Sequence, residues 1–232
     1  MDTIIEGLKQ AFLLLIHGDR QVVQVAGLSL LVSSLATALS LAVGIPLGSA
    51  LALSKFPGRR LLVSLVNTGM GSPPVVVGLI VSIFLWRSGP LGVLQLMYTP
   101  SAMVIAQFII AFPVVAGFTL ATVQQLDPKL RLQILTLGAS RFQMVWLLLK
   151  EARLPLLAAV MAGFGAVISE VGASMMVGGN IVGQTRVMTT AIVAENSKGN
   201  FPLAIAFSVV LMMMVYLVNF VLTVIQQRSK AR

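Results

Sequence analysis

The sequence has no cysteine, a single histidine and few charged residues. With no thiol, and with His17 as its one imidazole, it cannot form a metal site from thiolates or clustered imidazoles. Asp, Glu, Lys and Arg together make up 10% of the chain, whereas a soluble domain carries about 25%. So few charges cannot cover a water-facing surface, which excludes an ordinary soluble protein. Residues 1–6 also lack the basic start of a signal peptide, so we expect targeting information in the first spanning helix.

Two further absences concern the energy source. No Gly-Lys-Ser or Gly-Lys-Thr occurs, so the chain has no phosphate-binding P-loop. No charged residue lies near the centre of a clear apolar stretch, where proton-coupled carriers usually keep an acid. Glu170 comes nearest, and we expect it to be a solvated helix terminus rather than a proton site. A stand-alone secondary carrier or channel is therefore disfavoured, but it remains the alternative from a different class.

The chain is rich in long apolar stretches, with 57% hydrophobic residues and a mean hydropathy of +0.97. A membrane-crossing helix needs about 20 mostly apolar residues. Five stretches qualify: 22–53, 61–86, 101–123, 154–168 extending toward Ala173, and 203–225. They predict an all-α integral membrane protein with about five transmembrane helices. The first stretch is long enough to be tilted or to begin outside the bilayer.

The ends of the chain are assigned by length and polarity. Residues 3–16 are apolar but too short to span, and Glu6 and Lys9 interrupt them. They predict an amphipathic helix at the membrane interface within an N-terminal segment 1–21, with a sixth span as the alternative. The transmembrane domain then covers 22–225. Residues 226–232 form a cytoplasmic tail.

The net charge of +9 would suggest nucleic acid in a soluble protein. In a membrane protein, basic residues concentrate in cytoplasmic loops, so we expect no nucleic-acid partner. With the N-terminus outside, the 11 inner basic residues are Lys55, Arg59, Arg60, Lys129, Arg131, Arg141, Lys150, Arg153, Arg228, Lys230 and Arg232. The 5 outer ones are Lys9, Arg20, Arg87, Arg186 and Lys198. This bias predicts a cytoplasmic C-terminus.

Three of the predicted spans contain residues that alter helix shape or packing, namely prolines in the second and third and a glycine pair in the first. Pro73-Pro74 falls in the middle of the second predicted span and Pro113 in the middle of the third, where each removes a helix hydrogen bond and predicts a kink. Gly44 and Gly48 form a GxxxG pair, which lets two helices approach closely. Each proline alone is explained by packing. Three in two neighbouring spans favour a pathway or gate.

The cytoplasmic segment 127–153, here named the coupling segment, is the richest in local pattern. An amphipathic helix runs to Leu137, Gly138 permits a sharp turn, and a second helix runs over 141–150. This helix–glycine–helix unit has the shape to insert into a groove on a cytoplasmic partner. A docking unit on a chain without a nucleotide site is what a permease bound to a separate ATPase should carry.

The coupling segment resembles the "EAA" loop of importer permeases of the ATP-binding-cassette (ABC) superfamily. Gly-Ala-Ser-Arg at 138–141 fits the heart of that motif, and Leu-Pro at 154–155 matches its end. The acid and alanines of the motif are replaced here by Leu-Gln-Ile at 132–134, and Leu-Pro arrives about four residues late. The residues assigned to ATPase coupling are Leu132, Thr136, Leu137, Gly138, Ala139, Ser140, Arg141 and Phe142.

The C-terminal third narrows the resemblance. Three runs of residues together resemble the tungstate-transport permeases. They are Ser-Glu-Val-Gly-Ala-Ser-Met-Met-Val-Gly-Gly-Asn-Ile (169–181), Gly-Gln-Thr-Arg (183–186) and, earlier in the chain, Ser-Pro-Pro-Val-Val-Val-Gly-Leu (72–79). The tungstate-transport permeases form a branch of the molybdate/sulfate-type importers, and the resemblance covers nearly the whole chain from about Val25. It implies the type I ABC importer fold. Tungstate is the implied cargo, with molybdate or sulfate as alternatives.

The glycine-rich run after Glu170 predicts an irregular outer segment. Irregular backbone at membrane depth must line a cavity, where amides and one mobile charge from Arg186 could face an oxyanion. A simple outer loop with turn glycines is the alternative. Met70, Met175 and Met176 suggest a soft gate or ordinary packing. The residues assigned to the pathway or gate are Ser72, Pro73, Pro74, Glu170, Met175, Met176, Gly178, Gly179, Asn180 and Arg186.

The resemblance also implies the assembly. Two copies of this chain would form a homodimer in the cytoplasmic (inner) membrane, with two ABC ATPases below and a periplasmic or lipid-anchored oxyanion-binding protein above. ATP and Mg²⁺ would bind to the ATPase, so this subunit needs no cofactor and catalyses no reaction. Alternating access at the dimer interface would carry the anion inward.

Overall fold

The computed structural model describes residues 2–17 and 19–230, and within these ranges the regular structure is helical throughout. The α-helices are α1 (Asp2–His17), α2 (Arg20–Leu53), α3 (Arg59–Met70), α4 (Pro74–Leu85), α5 (Pro100–Gln124), α6 (Pro128–Thr136), α7 (Arg141–Glu151), α8 (Arg153–Ile168), α9 (Gly172–Gly178), α10 (Met188–Ser197) and α11 (Phe201–Lys230). A short 3₁₀ turn covers Gly92–Leu94. The predicted all-α class is confirmed.

Three helices are each long and apolar enough to cross a bilayer: α2, α5 and the 201–227 part of α11. Two bent pairs also qualify, α3 with α4 and α7 with α8. Counting each bent pair as one span gives five, in agreement with the predicted number. The 34 residues of α2 reach about 51 Å at 1.5 Å per residue, well beyond the roughly 30 Å of a hydrocarbon core.

The second predicted span, 61–86, is not one kinked helix. It divides into α3 and α4, whose axes differ by 104°. The chain leaves the helix at Gly71, and Pro73 then adopts an extended conformation, with ψ 122°, before Pro74 opens α4. Because neither proline has an N–H to donate, the helical ladder cannot continue through this point. The result is a break rather than a kink.

The fourth predicted span also stops early. Helix α8 ends at Ile168, so its expected extension toward Ala173 is wrong. The irregular outer segment expected after Glu170 is shorter than predicted, because α9 and α10 take up most of it. Irregular backbone is confined to short links, chiefly 179–187. We refer to residues 169–197, which include α9 and α10, as the outer segment.

Helices α2 and α5 form the centre of the fold. The close helix approach predicted from the glycine pair is found between them. A Cβ at Gly44 would lie 2.9 Å from Val115 Cγ1, and one at Gly48 would lie 2.5 Å from the carbonyl oxygen of Ala116. Only glycine permits so close an approach of the two backbones. Pro113 sits inside the continuous helix α5, where its ring packs against Gly69 of α3.

The two terminal helices, α1 and α11, pack against each other. A Cβ at Gly7 would lie 2.7 Å from Ile205 Cβ, so the glycine allows close contact. The placement of α1 at the membrane interface stays a prediction. Helix α11 continues to Lys230, into the segment predicted as a tail, and residues 231 and 232 lie outside the described part of the chain.

Candidate translocation pathway and coupling site

The coupling segment folds as two helices joined by a left-handed glycine. Asp127 caps α6 by accepting a hydrogen bond from the backbone N–H of Lys129 at 2.8 Å. Gly138 has φ +83°, and the following residue, Ala139, donates its N–H to the carbonyl of Ile134 at 3.3 Å. This six-to-one bond closes a Schellman motif, which ends a helix at a glycine. The turn predicted at Gly138 is confirmed.

The second helix of the coupling segment starts with a reciprocal cap. The hydroxyl of Ser140 accepts from the N–H of Gln143 at 3.3 Å, and the Ser140 N–H donates to Gln143 Oε1 at 2.7 Å. This capping box satisfies two backbone N–H donors at once. Together with the glycine turn it fixes the angle between α6 and α7.

The coupling segment has its own small core and an exposed apolar tip. Ile134, Met144 and Leu148 are buried against one another. In contrast, Leu137 is 87% exposed and Phe142 is 82% exposed. Of the residues assigned to coupling, Ala139 is half-buried and the other seven, Leu132, Thr136, Leu137, Gly138, Ser140, Arg141 and Phe142, are exposed. An exposed apolar tip on a rigid base is typical of a protein-binding surface.

Two arginines, one in the coupling segment and one at the start of α3, donate hydrogen bonds to the end of α2. Arg131 Nη1 donates to the carbonyl of Leu53 at 3.2 Å, and Arg59 Nε donates to the carbonyl of Leu51 at 2.6 Å. These carbonyls belong to the last turn of α2, which lacks partners within its own helix. The sequence reasoning counted both arginines only as charge. Arg59 closely follows the predicted end of the first span, which was a usable signal. Arg131 is 78 positions from Leu53, so its contact could not be found from the sequence.

The two segments assigned to the pathway lie side by side. A Cβ at Gly78 of α4 would be 2.6 Å from the Cα of Ala173 in α9, so the two helices touch backbone to backbone. A Cβ at Gly172 would be 2.5 Å from Val75 Cγ2. The structure therefore brings the helix that follows Ser72, Pro73 and Pro74 against the helix that follows Glu170.

Ser72 and the methionines occupy different settings in this region. The Ser72 hydroxyl donates to the carbonyl of Thr68 at 3.0 Å, which caps the end of α3. Met70 packs its sulfur against Gly117 of α5. Met175 is 37% exposed and Met176 is half-buried. Of the two methionines on α9, Met175 has the more exposed side chain, and its role in a gate stays a prediction.

Glu170 is not the solvated helix terminus that the sequence suggested. It is 8% exposed, and its Oε1 accepts from the N–H of Ala173 at 2.8 Å. Its own carbonyl accepts from Thr189 Oγ1 at 2.8 Å. A carboxylate at the start of α9 is favourable because the first N–H groups of a helix lack internal partners. Glu170 thus joins α8, α9 and α10.

The end of α9 is a tight turn held by Thr185. Gly179 and Asn180 both have positive φ, +69° and +52°. The Thr185 hydroxyl donates to the Gly178 carbonyl at 2.5 Å and accepts from the Ile181 N–H at 3.0 Å. A side chain at Gly179 would meet the ring of Tyr98, with its Cβ 2.7 Å from Cδ1. These glycines are packing positions, and their role in the pathway stays a prediction.

Arg186 is held in a polar cluster and is not a mobile charge. It is 9% exposed, its Nε donates to Asn180 Oδ1 at 3.1 Å, and its Nη1 lies 3.9 Å from Glu195 Oε1. Glu195 also accepts from Lys198 Nζ at 2.6 Å and from Asn200 Nδ2 at 3.1 Å. The Lys198 hydrogen bond, opposed by burial, lowers the pKa of Glu195 below its ordinary value, so the carboxylate stays ionised.

A buried carboxamide that the sequence reasoning missed connects three helices. Ser33 Oγ of α2 donates to Gln107 Oε1 of α5 at 3.2 Å, and Gln107 Nε2 donates to Ser174 Oγ of α9 at 3.3 Å. Gln107 is the one carboxamide within the third predicted span, 101–123. Polar side chains inside spans usually bond across helices, so its presence there was a usable signal.

Comparisons with known proteins agree with this architecture. Residues 44–232 match the family described as binding-protein-dependent transport system inner membrane component. The chain is 43% identical to the tungstate uptake system permease protein TupB of Peptoclostridium acidaminophilum, over 98% of this chain and 100% of that one. It is 42% identical to a probable anion ABC transporter permease protein of Haloferax volcanii, over 85% of this chain and 87% of that one.

A solved structure supports the fold independently. The inward-facing MetNI methionine ABC transporter matches with a TM-score of 0.74 at 19% identity, over 90% of this chain and 95% of that chain. At that identity the likeness shows the fold alone, and the fold is that of a type I ABC importer permease. The long apolar helices and the extent of the family match lead to one conclusion: this chain is a member of the family of inner-membrane components of binding-protein-dependent transport systems.

Proposed function

We propose that this chain is the permease subunit of an ATP-driven importer that carries tungstate, a tetrahedral oxyanion, across the inner membrane. The observation that carries the proposal is the coupling segment. It presents Leu137 and Phe142 on a rigid two-helix base, in a chain with no P-loop of its own. Such a surface suits a separate ATPase, which would bind the ATP and Mg²⁺. This subunit would contribute no catalytic group.

The orientation follows from the charges. The 11-to-5 distribution of basic residues favours a cytoplasmic coupling segment and C-terminus, with the N-terminus outside. Leu137 and Phe142 would then face the compartment that holds ATP. The outer segment, with Glu170, would face the compartment from which a periplasmic or lipid-anchored binding protein delivers the anion.

A homodimer is the proposed assembly. One five-span chain is small for a complete pathway, and α4 carries a row of exposed apolar side chains that includes Val76, Leu79 and Ile83. Closure of two ATPases would draw the coupling segments together and open the pathway outward. The binding protein would release its anion there, and hydrolysis would restore the inward-open state. Each step uses a rigid coupling segment.

The pathway suits an anion that must be released. A dianion held by many fixed cations would bind too tightly, so weak donors such as backbone amides and helix N-termini are preferable. The outer segment offers backbone amides in its glycine-rich links, and its carboxylates, Glu170 and Glu195, are engaged by other groups. Tungstate is favoured by the 43% identity to a tungstate uptake permease. Molybdate and sulfate have the same tetrahedral shape and remain the alternative cargoes.

The test is reconstitution of the permease with its ATPase and binding protein in proteoliposomes. We expect uptake of tungstate, measured by elemental analysis, that requires ATP and stops when the P-loop lysine of the ATPase is replaced. Molybdate and sulfate serve as competitors that rank the cargo. Uptake that persists without the ATPase would contradict the proposal and favour a stand-alone carrier or channel.

A further inference from the structure

A small cavity opens between the first turns of α2 and the outer segment. It measures about 270 Å³ and is lined by Gln21, Gln24, Val25, Leu28, Gln184 and Arg186 among others. Drug-sized ligands occupy cavities of about 300–1,000 Å³, so this space suits a smaller guest. Val25 is buried beneath it, whereas Gln21, Gln24 and Gln184 are exposed.

The charge that faces this cavity is positive. Arg186 is more than nine-tenths buried, and Asn180 accepts from its Nε alone. The nearest carboxylate, Glu195, lies 3.9 Å away, beyond hydrogen-bond distance, and is paired at 2.6 Å with Lys198. Counting Arg186, Lys198 and Glu195 together leaves one net positive charge. Since Lys198 neutralises Glu195 directly, that surplus resides on the guanidinium.

The other polar groups around the cavity are neutral donors. Gln21, Gln24 and Gln184 each bring a carboxamide, which has two N–H donors. The described residues that line the cavity include no acid. Asp19 is close in sequence, but its carboxylate accepts from the backbone N–H groups of Gln21 and Val22 at 2.9 and 3.1 Å as the cap of α2. Its charge is directed to the helix terminus.

We propose that this cavity binds one tetrahedral oxyanion at the outer end of the pathway, with Arg186 as the charged ligand and the three glutamines as neutral donors. A guanidinium can present two parallel N–H donors to an oxyanion. A single net positive charge facing a dianion gives weak, exchangeable binding, which suits a site that must pass its anion on. That the anion is tungstate depends on the proposed function. That an anion binds here is inferred from the cavity and the residues that line it.

The experiment measures tungstate binding to the purified permease–ATPase complex in detergent, by equilibrium dialysis in the absence of the binding protein. Wild-type complex should bind tungstate, and Arg186→Gln should weaken the affinity by roughly tenfold or more, since a charge-assisted hydrogen bond is lost. Arg87→Gln is the control, because it removes one exposed basic charge that does not line the cavity. Its affinity should stay within about twofold.

A second variant guards against misfolding of Arg186→Gln. Gln24→Glu places a like charge at an exposed lining position, so it should also abolish tungstate binding while the thermal unfolding of the complex is unchanged. No binding by wild type, or equal binding by wild type and both cavity variants, overturns the site. ATP-driven uptake by a wild type that binds no tungstate would defeat the site alone, whereas absence of tungstate uptake by the full system would defeat the proposed function.

Discussion

The coupling segment and the outer segment are built in opposite ways. In the coupling segment, the decisive hydrogen bonds join close neighbours in sequence, such as Ala139 with Ile134 and Ser140 with Gln143. In the outer segment they join distant residues. Gln107 bonds Ser174, 67 positions away, and the Met188 N–H donates to Ser29 Oγ, 159 positions away.

This difference has a mechanical consequence. A unit held by local caps and its own small core can move as one body when a partner pulls on it. A unit held by contacts from α2, α4, α5 and α11 must rearrange when those helices shift. The coupling segment is therefore suited to transmit motion, and the outer segment is suited to respond by opening or closing.

The largest effect is expected where the outer segment is most tightly packed. Gly78→Leu would drive a side chain into the backbone of Ala173, so we expect a destabilisation of about 3 kcal/mol or more. Gly27→Leu in α2 is the control, because a Cβ there meets nothing within 4 Å. Thermal unfolding of both purified variants provides the measurement. Equal melting temperatures for the two would show that α4 and α9 are not in close contact.

The next effect concerns the pathway. Gly178→Trp and Gly179→Trp cannot be used to test whether the pathway can be blocked, because side chains there would collide with Met103 and Tyr98 and disturb the packing. Met175→Trp places the bulk on an exposed position of α9 instead. We expect uptake to fall to background because an apolar constriction closes, while co-purification with the ATPase is retained. Leu39→Trp, at an exposed position of α2, should transport normally. Undiminished uptake by Met175→Trp would place the pathway elsewhere.

The smallest effect concerns the ion pair between Glu195 and Lys198, whose contribution to stability depends on pH. The folded-state pKa of Glu195 is lowered by Lys198, opposed by burial, so its contribution to stability is complete above the unfolded pKa. That contribution is lost as the pH falls through the folded pKa, below the ordinary value of 4.5. Glu195→Gln should therefore melt below wild type at neutral pH and converge with it in acid. A gap that persists unchanged in acid would contradict the assigned ion pair.

The same contrast explains how far the sequence could predict the structure. The spans could be predicted from the lengths of the apolar stretches, and the coupling turn from the position of Gly138 between two helical runs. Both signals are local in sequence. The break between α3 and α4 exceeded the expected kink, since proline patterns do not set an angle. Arg186 was expected to be mobile because Glu195 and Lys198 join it only in the folded chain. Gln107 was overlooked because its partners, Ser33 and Ser174, lie on other helices.

The most direct test of the ATPase-docking role compares two glycines. Gly58 and Gly138 both have left-handed φ, +88° and +83°, and a Cβ at either meets nothing within 4 Å. Asp at the two positions therefore carries the same backbone strain, but only Gly138 lies in the coupling segment. We predict that Gly138→Asp abolishes co-purification of the ATPase subunit while Gly58→Asp retains it at the wild-type level. Wild-type recovery of the ATPase with Gly138→Asp, or equal loss with both, would contradict the assignment of this segment as the docking site.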